Sequence, residues 1–438
     1  GEGQVTYAPG YDLKNLQVDH ALLQEAIETA KSADVVVIHV GLPDVFEVEG
    51  LDRTHLSLPE SHNQLIEQVA ASHDHVVVVL SNGSPVEMPW IDKVDAVLEG
   101  YLGGQAGAGG VADVLYGIVN PSGKLAETFP LKLSDTPSYL YYPGGPKTVA
   151  YRESLYIGYR FYDKVNKEVL FPFGHGLSYT SFAYEDFKLS HQEINDQETL
   201  QVQVTIRNTG DIPGKEVVQL YVSPVQPTAF RPVAELKGFN KVSLAPGEAC
   251  QVHFSLDRRA FAYFSTELND WQVESGDYRI LVGASSRQIH LEGKVTVQSQ
   301  QEVDIPLRDR LPAYVGFPAD AKINQDDFET LVGHPVPPNT IIRGEIATIN
   351  TPIADMQHSF VARRLHKMME EQMQAMIEDE ADSPHSLMMQ AVMREAPLRL
   401  LLMMGGDQMN RGMINGLLLI INRRFFKGLA TLLRARRK

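Results

Sequence analysis

Val76-Val77-Val78-Val79-Leu80 is an unbroken apolar run with two counterparts, Val35–Val40, interrupted by His39, and Ala96-Val97-Leu98-Glu99-Gly100. A strand wet on one face alternates apolar and polar residues. A continuous run needs cover on both faces, as in a parallel sheet. Helical spacing separates the runs: Ala21, Leu22, Ala26, Ile27 and Ala30 before the first, Leu65, Ile66 and Val69 before the second. Strand and helix alternating at this pitch mean βαβ units, an α/β domain with a mostly parallel sheet.

From Leu200 the texture changes to alternation, with Val202, Val204 and Ile206 set against Gln201, Gln203, Thr205 and Arg207. Val217–Val222, Val242–Leu244, Val252–Leu256 and Tyr278–Gly283 continue it, punctuated by turns such as Ala245-Pro246-Gly247-Glu248. Short strands at this spacing argue an all-β sandwich of fibronectin type III kind. Residues 301–355 read as a connector rich in proline, and from Met356 the pattern is helical. The expected division is 1–183, 184–300, 301–355 and 356–438.

That count suits 438 residues, enough for two to four domains. A net charge of −16 argues against nonspecific nucleic-acid binding. The single cysteine, Cys250, excludes an internal disulfide framework and points to the cytoplasm, although many secreted bacterial enzymes also lack disulfides. The chain opens Gly-Glu-Gly-Gln without Met, which suits a piece excised from something longer. No run approaches the roughly 20 apolar residues of a membrane span.

Gly103-Gly104-Gln105-Ala106-Gly107-Ala108-Gly109-Gly110 looks like a phosphate-cradling loop. It lacks the Walker lysine and any G-x-G-x-x-G with an acid about 20 positions on, so a close-packed turn into a helix Val111–Tyr116 is expected instead. No histidine or cysteine cluster has metal-ligand spacing, and no Gly-x-Ser-x-Gly elbow appears. No cofactor is implied.

The chemistry-bearing stretch is Phe46–Pro59. It puts Glu47 and Glu49 beside Gly50, with Asp52 and Arg53 following at once. It comes after the run Val35–Val40, and open α/β sheets bind ligands at the carboxyl ends of their strands.

Glu49-Gly50-Leu51-Asp52-Arg53 resembles the E-G-x-D-R motif of family 3 glycoside hydrolases, the β-glucosidase family. Asn120–Pro130, Val149–Arg160 and Phe171–Thr180 resemble that family in the same order, and the likeness covers roughly residues 5–295. It implies that Glu49 is the general acid/base, with Glu47 the less favoured alternative. It also implies that the partner carboxylate, an Asp nucleophile, lies on a (β/α)8 barrel that precedes this domain and is not in this chain. The expected function is therefore the C-terminal portion of a retaining β-glucosidase-like exo-glycosidase, acting on a β-linked oligosaccharide or aryl glucoside and inactive without the barrel. The alternative is a carbohydrate-binding or assembly module that has kept the fold.

A retaining glycosidase needs two carboxyl groups about 5–5.5 Å apart, one attacking and one protonating the leaving oxygen. The acid must keep its proton near neutral pH, which burial or a neighbouring carboxylate such as Glu47 promotes. Glu47 can otherwise bind a sugar hydroxyl. Phe46 either stacks on a sugar face or packs the loop. Asp52 and Arg53 are read as fixing the loop. Tyr151, Arg152 and Glu153 either border the same cleft or, as the favoured reading, serve a structural ion pair, and His175 is read as part of a tight turn.

The tail is less specific. Twelve of the 13 methionines lie between Met356 and Met413. Met368, Met369, Met373 and Met376 form a stripe suited to a core or a homodimer contact. After Asp407 there are eight basic residues and no acid. They suit either a helix lying on an anionic surface or one whose cations favour the negative end of its dipole.

Overall fold

The computed structural model describes residues 4–301, 307–340, 342, 345–374, 383–404 and 409–435. They form two compact units. The first comprises Gly1–Gly41, Leu56–Tyr142 and Ala150–Val336; the second comprises Leu42–His55, Pro143–Val149 and Pro337–Lys438.

In the first unit β1 (Val36–Gly41), β2 (Val76–Ser81) and β3 (Ala96–Glu99) pair in parallel, in that order. The unbroken run is the central strand: Val76, Val78, Val79 and Leu80 are at most 2% exposed. At the edge strand β1, Val37 stays 40% exposed, so the cover that a parallel sheet needs on both faces is complete only in the middle. α1 (His20–Ala30) starts where the Asp19 carboxylate accepts from the Ala21 and Leu22 amides at 2.9 and 3.1 Å, an N-cap. α2 (Glu60–Ala70) buries Leu65, Ile66 and Val69.

α3 runs from Gly107 to Leu115 and so begins four residues before the expected start at Val111. Glycine disfavours helix by about 1 kcal/mol relative to alanine, which is why the sequence pattern places the start after the last glycine. The expected close packing is found only at Gly103, where a Cβ would sit 2.7 Å from the Gly107 Cα. At Gly107, Gly109 and Gly110 nothing described lies within 4 Å of a built Cβ.

The sandwich follows. Its strands are β4 (Phe182–Leu189), β5 (Glu193–Asn195), β6 (Leu200–Asn208), β7 (Gly214–Pro224), β8 (Glu235–Leu244), β9 (Ala249–Leu256), β10 (Tyr263–Ser265), β11 (Asp270–Gln272), β12 (Gly276–Gly283) and β13 (Ile289–Gln298). One sheet has the order β5-β13-β12-β7-β8 and the other β4-β6-β9, with β10-β11 as a separate hairpin. The alternating residues Val202, Val204 and Ile206 enter the shared core with Leu220, Val252, Ile280 and Val295. A second core joins α4 (Tyr159–Lys164) to residues past the sandwich: Tyr156, Phe161 and Tyr162 pack with Leu311, Tyr314, Phe317 and Phe328. The Tyr156 hydroxyl donates to the Tyr314 carbonyl at 2.8 Å. Part of the stretch read as connector is therefore built into this unit.

The second unit has its own core of Ala347, Ile353, Met356, Ala362, Leu398, Leu401, Ile414 and Ile421. Its longer helices are Phe360–Gln374, Pro384–Glu395, Arg411–Ile421 and Phe425–Ala435. Met356 is buried and Met369 packs against the core, whereas Met368 is 49% exposed. Met376 lies outside the described residues. The last two helices approach closely at Gly416, where a Cβ would meet Leu432 Cγ at 2.6 Å.

The dipole reading of the basic tail accounts for only one described cation of the final helix. Arg434 is in its last turn, but Arg423 and Arg424 precede its first residue and Lys427 lies in its first turn, at the positive end. No described helix is long and apolar enough to cross a membrane.

Candidate active site and family

After β1 the chain makes a 3-10 turn, Asp44–Phe46, in which the Phe46 amide donates to the Pro43 carbonyl at 2.8 Å. The Phe46 ring meets the edge of His55 at 5.2 Å. A β-turn over Val48–Leu51 follows, closed by the Leu51 amide on the Val48 carbonyl at 3.3 Å. Gly50 takes its third position at φ +86°, which side chains other than glycine rarely adopt. Val48 is buried and anchors the turn, while Glu47 and Glu49 on either side of it are exposed. Asp52 is exposed and Arg53 half-buried. The five residues singled out from sequence thus share one short loop, with Glu49 at the second position of its turn.

A different carboxylate cluster closes the sheet in the first unit. Glu99 ends β3, and its Oε1 accepts from the Tyr101 amide at 2.9 Å. Its Oε2 accepts from the fully buried Asn82 side chain at 3.3 Å. The Tyr101 hydroxyl donates to Glu127 at 3.2 Å. Burial pushes the Glu99 carboxyl up to about 7 and also raises Glu127. Both Glu99 oxygens are engaged within the strand ends, so the group holds the β3 turn. Sequence reasoning passed over it. The available signal was an acid terminating an apolar run at a strand's carboxyl end.

Arg152 and Glu153 do not form the expected ion pair among the described residues. Arg152 donates to the Ile323 carbonyl at 2.9 Å and lies over the Tyr141 and Phe328 rings at 4.8 and 5.5 Å. Glu153 is buried, and its pKa is raised by desolvation. The guanidinium also donates to Gln325 Oε1 at 2.5 Å. The Glu329 pKa, lowered first by a hydrogen bond from Gln325, is lowered further by the Arg152 charge. His175 stacks on Phe171 at 5.0 Å with its pKa lowered by burial and then by Lys124. Its amide closes a turn on the Pro172 carbonyl, as expected of a structural residue.

Residues 2–179 match the glycosyl hydrolase family 3 C-terminal domain, and residues 216–286 match the fibronectin type III-like domain. Thermostable beta-glucosidase B of Acetivibrio thermocellus is 55% identical over 299 residues, covering 68% of this chain and 40% of that protein. The exo-alpha-(1->6)-L-arabinopyranosidase of Bifidobacterium longum is 47% identical over 284 residues, covering 65% of this chain and 37% of that protein. The crystal structure of the Bifidobacterium adolescentis GH3 beta-glucosidase superposes with a TM-score of 0.65 at 45% identity, over 67% of this chain and 43% of that one. The chain thus spans two fifths or less of the length of these curated relatives. It belongs to glycosyl hydrolase family 3, with that family's C-terminal α/β domain followed by a fibronectin type III-like sandwich and C-terminal helices.

Proposed function

We propose that this chain supplies the general acid/base of a retaining exo-glycosidase acting on terminal β-linked sugars, and that the nucleophile belongs to a barrel outside it. The observation that carries the reading is Glu49, in Glu49-Gly50-Leu51-Asp52-Arg53, presented by a glycine turn after a parallel strand inside the matched family domain. In the reaction Glu49 protonates the leaving oxygen as the nucleophile attacks the anomeric carbon. It then takes a proton from the water that releases the sugar. Phe46 and Glu47 border the leaving-group side, and Asp52 and Arg53 fix the loop.

An acid that works near neutral pH must be shielded from water. Glu49 is exposed in this chain, so the shielding comes from the surface that supplies the nucleophile. The first unit carries an apolar surface suited to such a partner. Leu102, Tyr116 and Ile118 are each 73% exposed and Leu177 is 76% exposed. A hydrogen bond from the Tyr179 hydroxyl to the Val114 carbonyl at 2.9 Å brings the last of these segments beside α3. Large apolar side chains exposed to this degree near one helix suit a surface that another protein covers.

The sugar is chosen elsewhere: proteins named β-glucosidase and exo-α-arabinopyranosidase align over much the same stretch. Cys250 is unpaired, which supports a cytoplasmic setting. The test is to mix this chain with the separately expressed barrel segment of its parent enzyme. Hydrolysis of an aryl β-glucoside is expected only in the mixture. Turnover by this chain alone would contradict the split site.

A further inference from the structure

We infer that Ala391 and Asn339, in the described C-terminal part of the second unit, act as a positioning device, Ala391 for the Glu49 turn and Asn339 for a neighbouring stretch of the same unit. The inference rests on the reading of Glu49 as the acid/base. Two stretches of the α/β sequence, Leu42–His55 and Pro143–Val149, fold in the second unit together with Pro337–Lys438. The first stretch has no regular structure beyond its 3-10 turn. A loop of that length is ordinarily either functional or unsettled.

Gly50 is itself exposed, and a helix of the same unit passes close to it. A Cβ placed on Gly50 would lie 3.8 Å from the Ala391 Cβ, in ordinary contact. Ala391 is only 6% exposed, on the buried side of helix Pro384–Glu395. A larger side chain there pushes on the turn that carries Glu49.

The second stretch is tied by hydrogen bonds. Asn339 Oδ1 accepts from the Lys147 and Thr148 amides at 2.9 and 3.1 Å, and its Nδ2 donates to the Thr148 carbonyl at 2.8 Å. The side-chain amide thus pairs with Thr148 as a neighbouring peptide would in a ladder. A Cβ at Gly145 would fall 2.2 Å from Asn339 Nδ2, so any larger residue there pushes this amide off its partners. Lys147 Nζ pairs with Glu345 at 2.6 Å. The extension therefore grips both excursions, one by packing and one by paired amides. A general acid needs such support, since a displacement of about 1 Å can reduce rate about a hundredfold.

Hydrogen exchange on the 438-residue chain tests the grip without any activity. Ala391→Met is expected to speed exchange at Val48–Asp52 by about fivefold or more, with β7 and β12 unchanged. Asn339→Ala should do the same at Lys147 and Thr148. A folded Ala391→Met chain with unchanged exchange over Val48–Asp52 overturns the inference. If that variant loses protection throughout Arg411–Ile421, Ala391→Val replaces it under the same criterion.

In the mixture with the barrel segment, Ala391→Met is expected to lower kcat about tenfold or more with KM held within about twofold, and Ala391→Ser to keep activity. Equal loss in kcat and gain in KM would mean general damage and would count against positioning. If the unsubstituted mixture associates by sedimentation yet is inactive, or Glu49→Gln leaves it active, the acid/base reading fails. The exchange result then decides the grip alone.

Discussion

Asn82 Nδ2 donates to Glu99 Oε2 at 3.3 Å, tying the carboxyl end of β2 to that of β3. Asn82 is fully buried, and the amide of Tyr101 holds the other Glu99 oxygen. The pair closes the sheet at the cost of a carboxyl group kept largely out of water.

This sets a pH dependence. Burial raises the folded Glu99 pKa to about 7 from an ordinary 4.5. Between those values the folded state holds a proton that the unfolded state has released, so stability falls as pH rises through this window and levels off above it. Glu99→Gln should flatten that slope and stabilise the chain by about 2 kcal/mol at pH 8, with little effect at pH 4. Denaturant melts at the two pH values check this. An unchanged slope in the variant would contradict it, since Glu127, also raised, would then carry the whole effect.

Two glycines with similar backbone angles should respond differently to alanine. Gly174 has φ +81°, and a Cβ there would fall 2.2 Å from Gln219 Oε1. That side chain also accepts from the Tyr221 hydroxyl and donates to the Gly174 and Ala284 carbonyls. Gly247 has φ +74° with nothing described within 4 Å. Gly247→Ala should cost about 1 kcal/mol of backbone strain. Gly174→Ala should cost at least about 2 kcal/mol more, because the buried amide must move off its partners. Equal losses in thermal unfolding would show that the Gln219 bonds do not matter.

The apolar surface around α3 should govern assembly. Ile118→Asp and Leu177→Asp, both at exposed positions, should leave the melting temperature within a degree or two. They should weaken association with the barrel segment more than about tenfold, since charges are disfavoured at interface cores. Sedimentation of the mixture reads this directly. Unaltered association would move the contact elsewhere.

Periodicity made much of the fold legible. The run Val76–Leu80 became the central parallel strand, and the alternation from Leu200 became β6. Asp19 marked the start of α1 because capping is local chemistry. What was not legible depended on distance along the chain. Nothing near Gly50 announces Ala391, and nothing near Thr148 announces Asn339. The Arg152 environment was misread for the same reason, since Phe328 and Ile323 lie more than 170 residues away. At the candidate site the motif singled out Glu49, and the glycine beside it, Gly50, takes a left-handed turn position at φ +86°. Glu99 escaped notice because an acid after an apolar run also looks like a strand reaching water.

The most direct measurement is the pH profile of kcat/KM for an aryl β-glucoside, using this chain with the proposed barrel segment and comparing Glu49 with Glu49→Gln. A general acid must be protonated, so its ionisation sets the limb that falls at high pH. The account predicts that Glu49→Gln loses that limb and lowers the rate by about a hundredfold or more, while the limb at low pH, set by the nucleophile, stays. A bell-shaped profile kept intact in Glu49→Gln would contradict it and place the acid on another residue.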